Sequence, residues 1–218
     1  SGTRKLVLYS KGLATPLNFS PTLTYPGIPG RGELQGSVIN NSGVIVGISG
    51  DGFTSDKQRG FRFNTRTGKV SILNPLSKDS FSLTSSVNNL ENVLGSSIFK
   101  PTIGNPHNNI GIWDRYGHFK TYFTDYNPMT FDINQLLFND SNLIIIQQGY
   151  DSAYLMPKPN VRLKLVNLVE NKASIPTGIL IRNINNFGDM FGYGDNETFL
   201  LKRIPCGKAS KNKAVACL

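Results

Sequence analysis

Trp113, Arg115, Tyr116 and His118 lie within one six-residue run, around a Tyr-Gly turn. An exposed aromatic ring beside planar polar groups is how sugar rings and peptide side chains are gripped. This run is therefore the candidate ligand-binding site, with Tyr122, Phe123 and Tyr126 following it. Trp113 also has a second reading. It holds the place in its repeat that Phe63 and Tyr9 hold in theirs, which suits packing between sheets.

No catalytic set is visible. His107 and His118 are the only histidines, and neither belongs to an H-E-x-x-H, G-x-S-x-G or Walker pattern. The acids are scattered, so a carboxylate pair for glycoside hydrolysis would have to be assembled by the fold. Gly47-Ile48-Ser49-Gly50-Asp51-Gly52 is glycine-rich but leads to no helix signal, and a phosphate cradle needs one. Asp51 and Asp56 lack the alternating ligand spacing of a calcium loop. No metal and no cofactor is expected. Cys206 and Cys217, with no histidine between them, do not make a zinc site and read as one disulfide, which implies an oxidising compartment.

The elements that must carry these residues are strands. Four segments share an eight-residue frame: Asn40 to Gly47, Asn88 to Gly95, Asn139 to Ile146 and Asn185 to Gly192. Their starts lie 48, 51 and 46 residues apart, a period that fits four-stranded propeller blades. Asn and Gly tolerate positive φ, so Asn-Asn-x-Gly closes a tight hairpin between apolar strands. A second hairpin follows in each of the first three copies: Phe61–Asn64 into Lys69–Leu73, Ile112–Asp114 into His118–Tyr122, and Ala153–Met156 into Val161–Leu165. Alternating polarity marks these as half-exposed strands. Phe131 to Leu137 offers one helical turn capped by Asp132.

The expected fold is all-β, a small β-propeller of four blades at roughly 34–76, 82–126, 132–168 and 178–204. Five blades, one incomplete, is the alternative. Strands from 5–18 are expected to join the last blade and close the ring. Residues 1–204 then form one domain, and 205–218 a basic, disulfide-closed tail.

The frame, taken with the strands after it, resembles the HAF-type extracellular repeat of bacterial secreted proteins. The closest copy is Ile184-Asn185-Asn186-Phe187-Gly188-Asp189-Met190-Phe191-Gly192, followed by Thr198-Phe199-Leu200-Leu201. Ile39 to Gly47 with Gly60-Phe61-Arg62-Phe63 is the next, and the likeness covers roughly 34–204. The His-Ala-Phe triplet is nowhere intact, and the third copy carries Asn142 and Ile146 where Gly belongs. The resemblance implies a secreted, propeller-like repeat protein. It brings no catalytic residues.

Composition bounds the rest. Of 218 residues, 23 are Asn, 22 Gly and 12 Pro, about a quarter of the chain, which leaves no room for long helices or coiled coils. Hydrophobic residues at 39% can still build a core. No apolar run is long enough for a spanning helix. The chain opens Ser1-Gly2 without an apolar leader, so a signal peptide removed ahead of it is expected, with the periplasm as the alternative destination. The net charge is +9, and Lys202, Arg203, Lys208, Lys211 and Lys213 crowd the C-terminus. The function expected first is a secreted, monomeric binding module for a glycan or a host-surface protein. A hydrolase whose site forms only on folding stands second, and charge-driven binding of nucleic acid or an anionic surface third.

Overall fold

The structure, a computed structural model, describes residues 7–10, 12–16, 33–50, 58–100, 106–125, 136–148, 152–169, 178–194 and 197–203. Its repeating device is an asparagine turn. In each frame the first Asn accepts, on Oδ1, the backbone N–H groups two and four residues ahead. Asn40 takes those of Ser42 and Val44 at 3.0 and 2.8 Å, and Asn88 those of Leu90 and Asn92 at 3.1 and 3.0 Å. Asn139 takes Ser141 and Leu143, both at 3.1 Å, and Asn185 takes Phe187 and Asp189, both at 2.9 Å. The fourth residue of every turn has positive φ: Gly43 at 78°, Glu91 at 64°, Asn142 at 59° and Gly188 at 88°. Asn142 thus does the work expected of Gly, because Asn tolerates the left-handed region.

The fold is all-β, and its four antiparallel sheets of three or four strands are the blades of a four-bladed β-propeller. Two compact units divide the chain near residue 128. The first holds β1 (Val7–Ser10) and β2 (Leu13–Pro16), which pair with each other as a ribbon. Its first blade is β3 (Glu33–Ile39), β4 (Val44–Gly50), β5 (Arg59–Asn64) and β6 (Val70–Leu73). Its second is β7 (Phe81–Val87), β8 (Val93–Phe99), β9 (His107–Trp113) and β10 (Phe119–Asp125). The second unit holds β11 (Leu136–Phe138), β12 (Ile144–Gln147), β13 (Ala153–Lys158) and β14 (Val161–Lys164). A three-stranded blade of β15 (Leu180–Ile184), β16 (Met190–Gly194) and β17 (Glu197–Leu201) follows. Within each sheet the strands pair in chain order.

Residues 136–138 are strand, not the end of a helical turn, and 131–135 lie outside the described residues. The sole helical run among the described residues is the 3-10 turn Leu165–Asn167. Pairing of the N-terminal ribbon with the last blade, expected for closure, is not among the strand pairs of the described residues: β1 and β2 pair only with each other, and β17 pairs with β16. Cys206 and Cys217 lie outside the described residues, as does the whole tail from 204.

The last position of the frame has its own physics. Strand pairing slips by one residue between Thr84 and Ser86 and between Ile181 and Asn183. Each bulge drives a carbonyl over the facing strand, so a Cβ on Gly95 would run into the Leu83 oxygen and one on Gly192 into the Leu180 oxygen. The third blade has Ile146 there and no bulge; Leu136, Leu137 and Phe138 pair with Ile146, Ile145 and Ile144 in unbroken register. The irregular copy in the sequence is therefore an unbulged pair of strands.

Sheets are tied to sheets through the same turns. In the first unit Asn40 Nδ2 donates to Asn88 O at 2.7 Å, and Asn89 Oδ1 accepts from Asn41 N at 3.1 Å. In the second, Asn139 Nδ2 donates to Asn185 O at 3.1 Å, and Asn186 Oδ1 accepts from Asp140 N at 3.1 Å. Below these links lie the cores. Val44, Val46, Leu73, Val87, Val93 and Trp113 pack together in the first unit. In the second, Leu143, Ile145 and Leu155 meet Ile179, Ile181, Ile184 and Met190. Buried Gln147 adds a polar seam, donating to Ile179 O at 2.8 Å and accepting from Ile181 N at 3.1 Å.

Candidate functional site

The β9–β10 turn is a fifth copy of the asparagine turn, with aspartate in the leading place. Asp114 Oδ1 accepts from Tyr116 N at 2.8 Å and His118 N at 2.9 Å, while Gly117 N donates to Asp114 O at 3.0 Å. Gly117 carries the positive φ, at 94°. The pattern Asp114-Arg115-Tyr116-Gly117 matches Asn40-Asn41-Ser42-Gly43 position by position. That match was the available signal for Asp114.

The turn separates the candidate residues. Trp113, the last residue of β9, is 0% exposed. Its ring packs on Phe119 at 4.3 Å between centroids, and its Nε1 donates to Asn74 O at 3.0 Å. Trp113 is thus core, the second of its two readings, and it offers no surface to a ligand. Strand alternation explains the placement, because Trp113 faces the same side as Val93, its partner on β8. Arg115, Tyr116 and His118 are brought together on the outside. Tyr116 is 70% exposed and the His118 side chain 81%. Arg115 Nη2 donates to the Tyr116 hydroxyl at 2.6 Å, and its Cζ lies 4.8 Å from the Tyr116 ring centre. The Tyr116 and His118 rings are 6.3 Å apart.

Two further residues fix this cluster. Asp114 Oδ2 pairs with His118 Nδ1 at 3.0 Å. Burial would push the Asp114 carboxyl up, but the bonds from His118 N, the His118 ring and Tyr116 N outweigh it and hold the carboxyl below its usual range. Arg62, on β5, reaches across to the underside of the turn. Its Nη2 donates to Arg115 O at 2.6 Å, and its Nη1 to Glu91 O at 3.2 Å and Asp114 O at 3.4 Å. Burial lowers the Arg62 pKa while Glu91 and Asp114 raise it, and a guanidinium stays charged throughout. Arg62 was not legible as a site residue. Its place between Phe61 and Phe63 marks only an outward position on a strand.

Among the described residues no group of three or more His, Cys, Asp and Glu side chains is arranged to hold a metal ion. His107 stacks against Phe99 at 4.9 Å, away from the turn. Among the described residues no serine or threonine hydroxyl is bonded to the His118–Asp114 pair. What the turn can do is present one aromatic ring, one guanidinium and one imidazole edge on a backbone held from inside and below.

Comparison of the chain with protein-family models, with curated proteins and with solved structures finds no match.

Proposed function

We propose that this chain is a secreted binding module that takes a glycan or a surface protein at the β9–β10 turn. The observation that carries the reading is Tyr116. Its ring is 70% exposed and so open to a partner. Here it is also held in place, by the Arg115 bond to its hydroxyl and by a turn locked through Asp114 and Arg62. Holding an exposed ring still lowers the ordering cost of binding. The likeness of the repeat to HAF-type sequences and the two C-terminal cysteines support export.

The test probes immobilised glycans and surface proteins with the wild-type chain and with Tyr116→Ala. The ring lies outside the core, so the variant should keep its melting temperature and lose binding by about tenfold or more. A ligand held equally by wild type, Tyr116→Ala and Arg115→Ala would place the site elsewhere and refute the reading.

A further inference from the structure

The chemistry around Tyr116 narrows the ligand class, given the binding reading above. We infer that the turn takes an acidic saccharide, with a sugar ring against Tyr116 and a carboxylate or sulfate group on Arg115 and His118.

Charge is the first ground. The turns at this end of the first unit are joined by direct bonds: Asn40 to Asn88, Thr65 to Gly43, and Arg62 to Glu91, Asp114 and Arg115. They carry Arg62, Arg66, Lys69 and Arg115 against only Glu91 and Asp114. The Asp114 carboxylate keeps its charge, but its two oxygens are engaged by Tyr116 N, His118 N and the His118 ring. These charges sum to about +2, a balance that favours an anion.

Donor geometry is the second. Arg115 uses Nη2 on the Tyr116 hydroxyl, and among the described residues its other N–H groups have no protein partner. A guanidinium fork with open donors suits the two oxygens of a carboxylate or sulfate. His118 Nδ1–H donates to Asp114, so Nε2, on an 81% exposed ring, donates to an anion in the imidazolium form.

The ring is the third. Arg115 sits 4.8 Å from the centre of Tyr116 and occupies one side of it. Tyr116 is 70% exposed, which leaves ring surface onto which the C–H face of a pyranose can stack. A nucleic-acid strand would call for several rings in succession. Here one tyrosine and one imidazole stand alone on the turn. The apolar part of a sugar and its acid group need one ring and one cation side by side, and that pair is what the turn displays.

The test titrates the full chain by calorimetry with four probes: polygalacturonate for carboxylate, heparin for sulfate, dextran as the neutral polymer, and single-stranded poly-dA. At low salt one or both acidic polysaccharides should bind, and dextran should not. Affinity should fall as salt rises, with a shallow slope that reflects few ionic contacts. Tyr116→Ala and Arg115→Ala should each weaken binding about tenfold, and Arg115→Lys should recover only part, because the fork is lost. A thermal melt checks that each variant is folded. Dextran binding as well as the acidic polymers, with loss in Tyr116→Ala, would overturn the acidic class and leave the binding site standing. Acidic polymers binding undiminished by either substitution would overturn both, as would no binding to any probe. Preference for poly-dA over both polysaccharides would replace the saccharide by a nucleic acid.

Discussion

Replacing Asn139 by alanine tests whether the asparagine turns hold the sheets to one another. Asn139 is 4% exposed. Its Oδ1 accepts from Ser141 N and Leu143 N, and its Nδ2 donates to Asn185 O on the next blade. A buried hydrogen bond contributes roughly 1 kcal/mol net, and orphaned partners cost more, so losing three comes to about 3 kcal/mol. Asn185 occupies the same frame position in the last blade, but it is exposed, and among the described residues its Nδ2 reaches Asp189 of its own turn, at 3.1 Å. Asn185→Ala should therefore cost about 1 kcal/mol, the value of a typical cap. Asn139→Asp separates the two jobs. It keeps the acceptor, as Asp114 does naturally, and loses the donor to the neighbouring sheet. At this buried position its carboxylate would face the Asn185 carbonyl, so it should melt no higher than Asn139→Ala. Thermal melts followed by circular dichroism read the order, with about 2–4 °C per kcal/mol in a chain of this size. Asn139→Ala melting no lower than Asn185→Ala would refute the idea that these turns couple the sheets.

Trp113→Ala should lower stability by about 3–5 kcal/mol, while Trp113→Phe loses less and leaves ligand binding intact; a binding defect without a stability loss would return Trp113 to the site. Gly95→Ala should destabilise by more than about 2 kcal/mol, because its methyl meets the Leu83 carbonyl across the bulge; a neutral melt would show that the bulge does not need glycine. Asp114 has a depressed pKa in the folded chain, so its contribution is present above the ordinary aspartate range and fades as pH falls below it. An NMR titration should find its carboxyl titrating lower than in a model peptide, and a normal midpoint would sink the turn assignment. Non-reducing mass spectrometry of the exported chain should show Cys206 bonded to Cys217; two free thiols would remove the disulfide and much of the support for export.

Much of this architecture was legible because a turn is a local object. Asn at the head of the frame and a residue tolerant of positive φ three places later specify the hairpin by themselves, and the period of the frame then counts the blades. The position of the aromatic cluster was legible for the same reason, since Arg115, Tyr116 and His118 all sit on one such turn. What the turn faces was not. Trp113 and Tyr116 are three residues apart and both aromatic, and only the pairing of Trp113 with Val93 sends one inward while the other stays out. Arg62 is harder still. Its partners Glu91, Asp114 and Arg115 are 29, 52 and 53 residues away, and no local rule connects them. The bonds from Asn40 to Asn88 and from Asn139 to Asn185 span one repeat each, so the period hinted at them, but their direction needed the stacked sheets.

The most direct test of the central claim is a two-dimensional NMR titration of the wild-type chain with a short acidic oligosaccharide. Ligand at the β9–β10 turn should shift the amides of Arg115, Tyr116 and Gly117 and the side-chain signals of Arg115 and His118 first, at the lowest ligand ratios. The exposed apolar residues Phe191 and Leu200, in the other unit, should stay still. Shifts centred on Phe191 and Leu200, with the turn unmoved, would contradict the account.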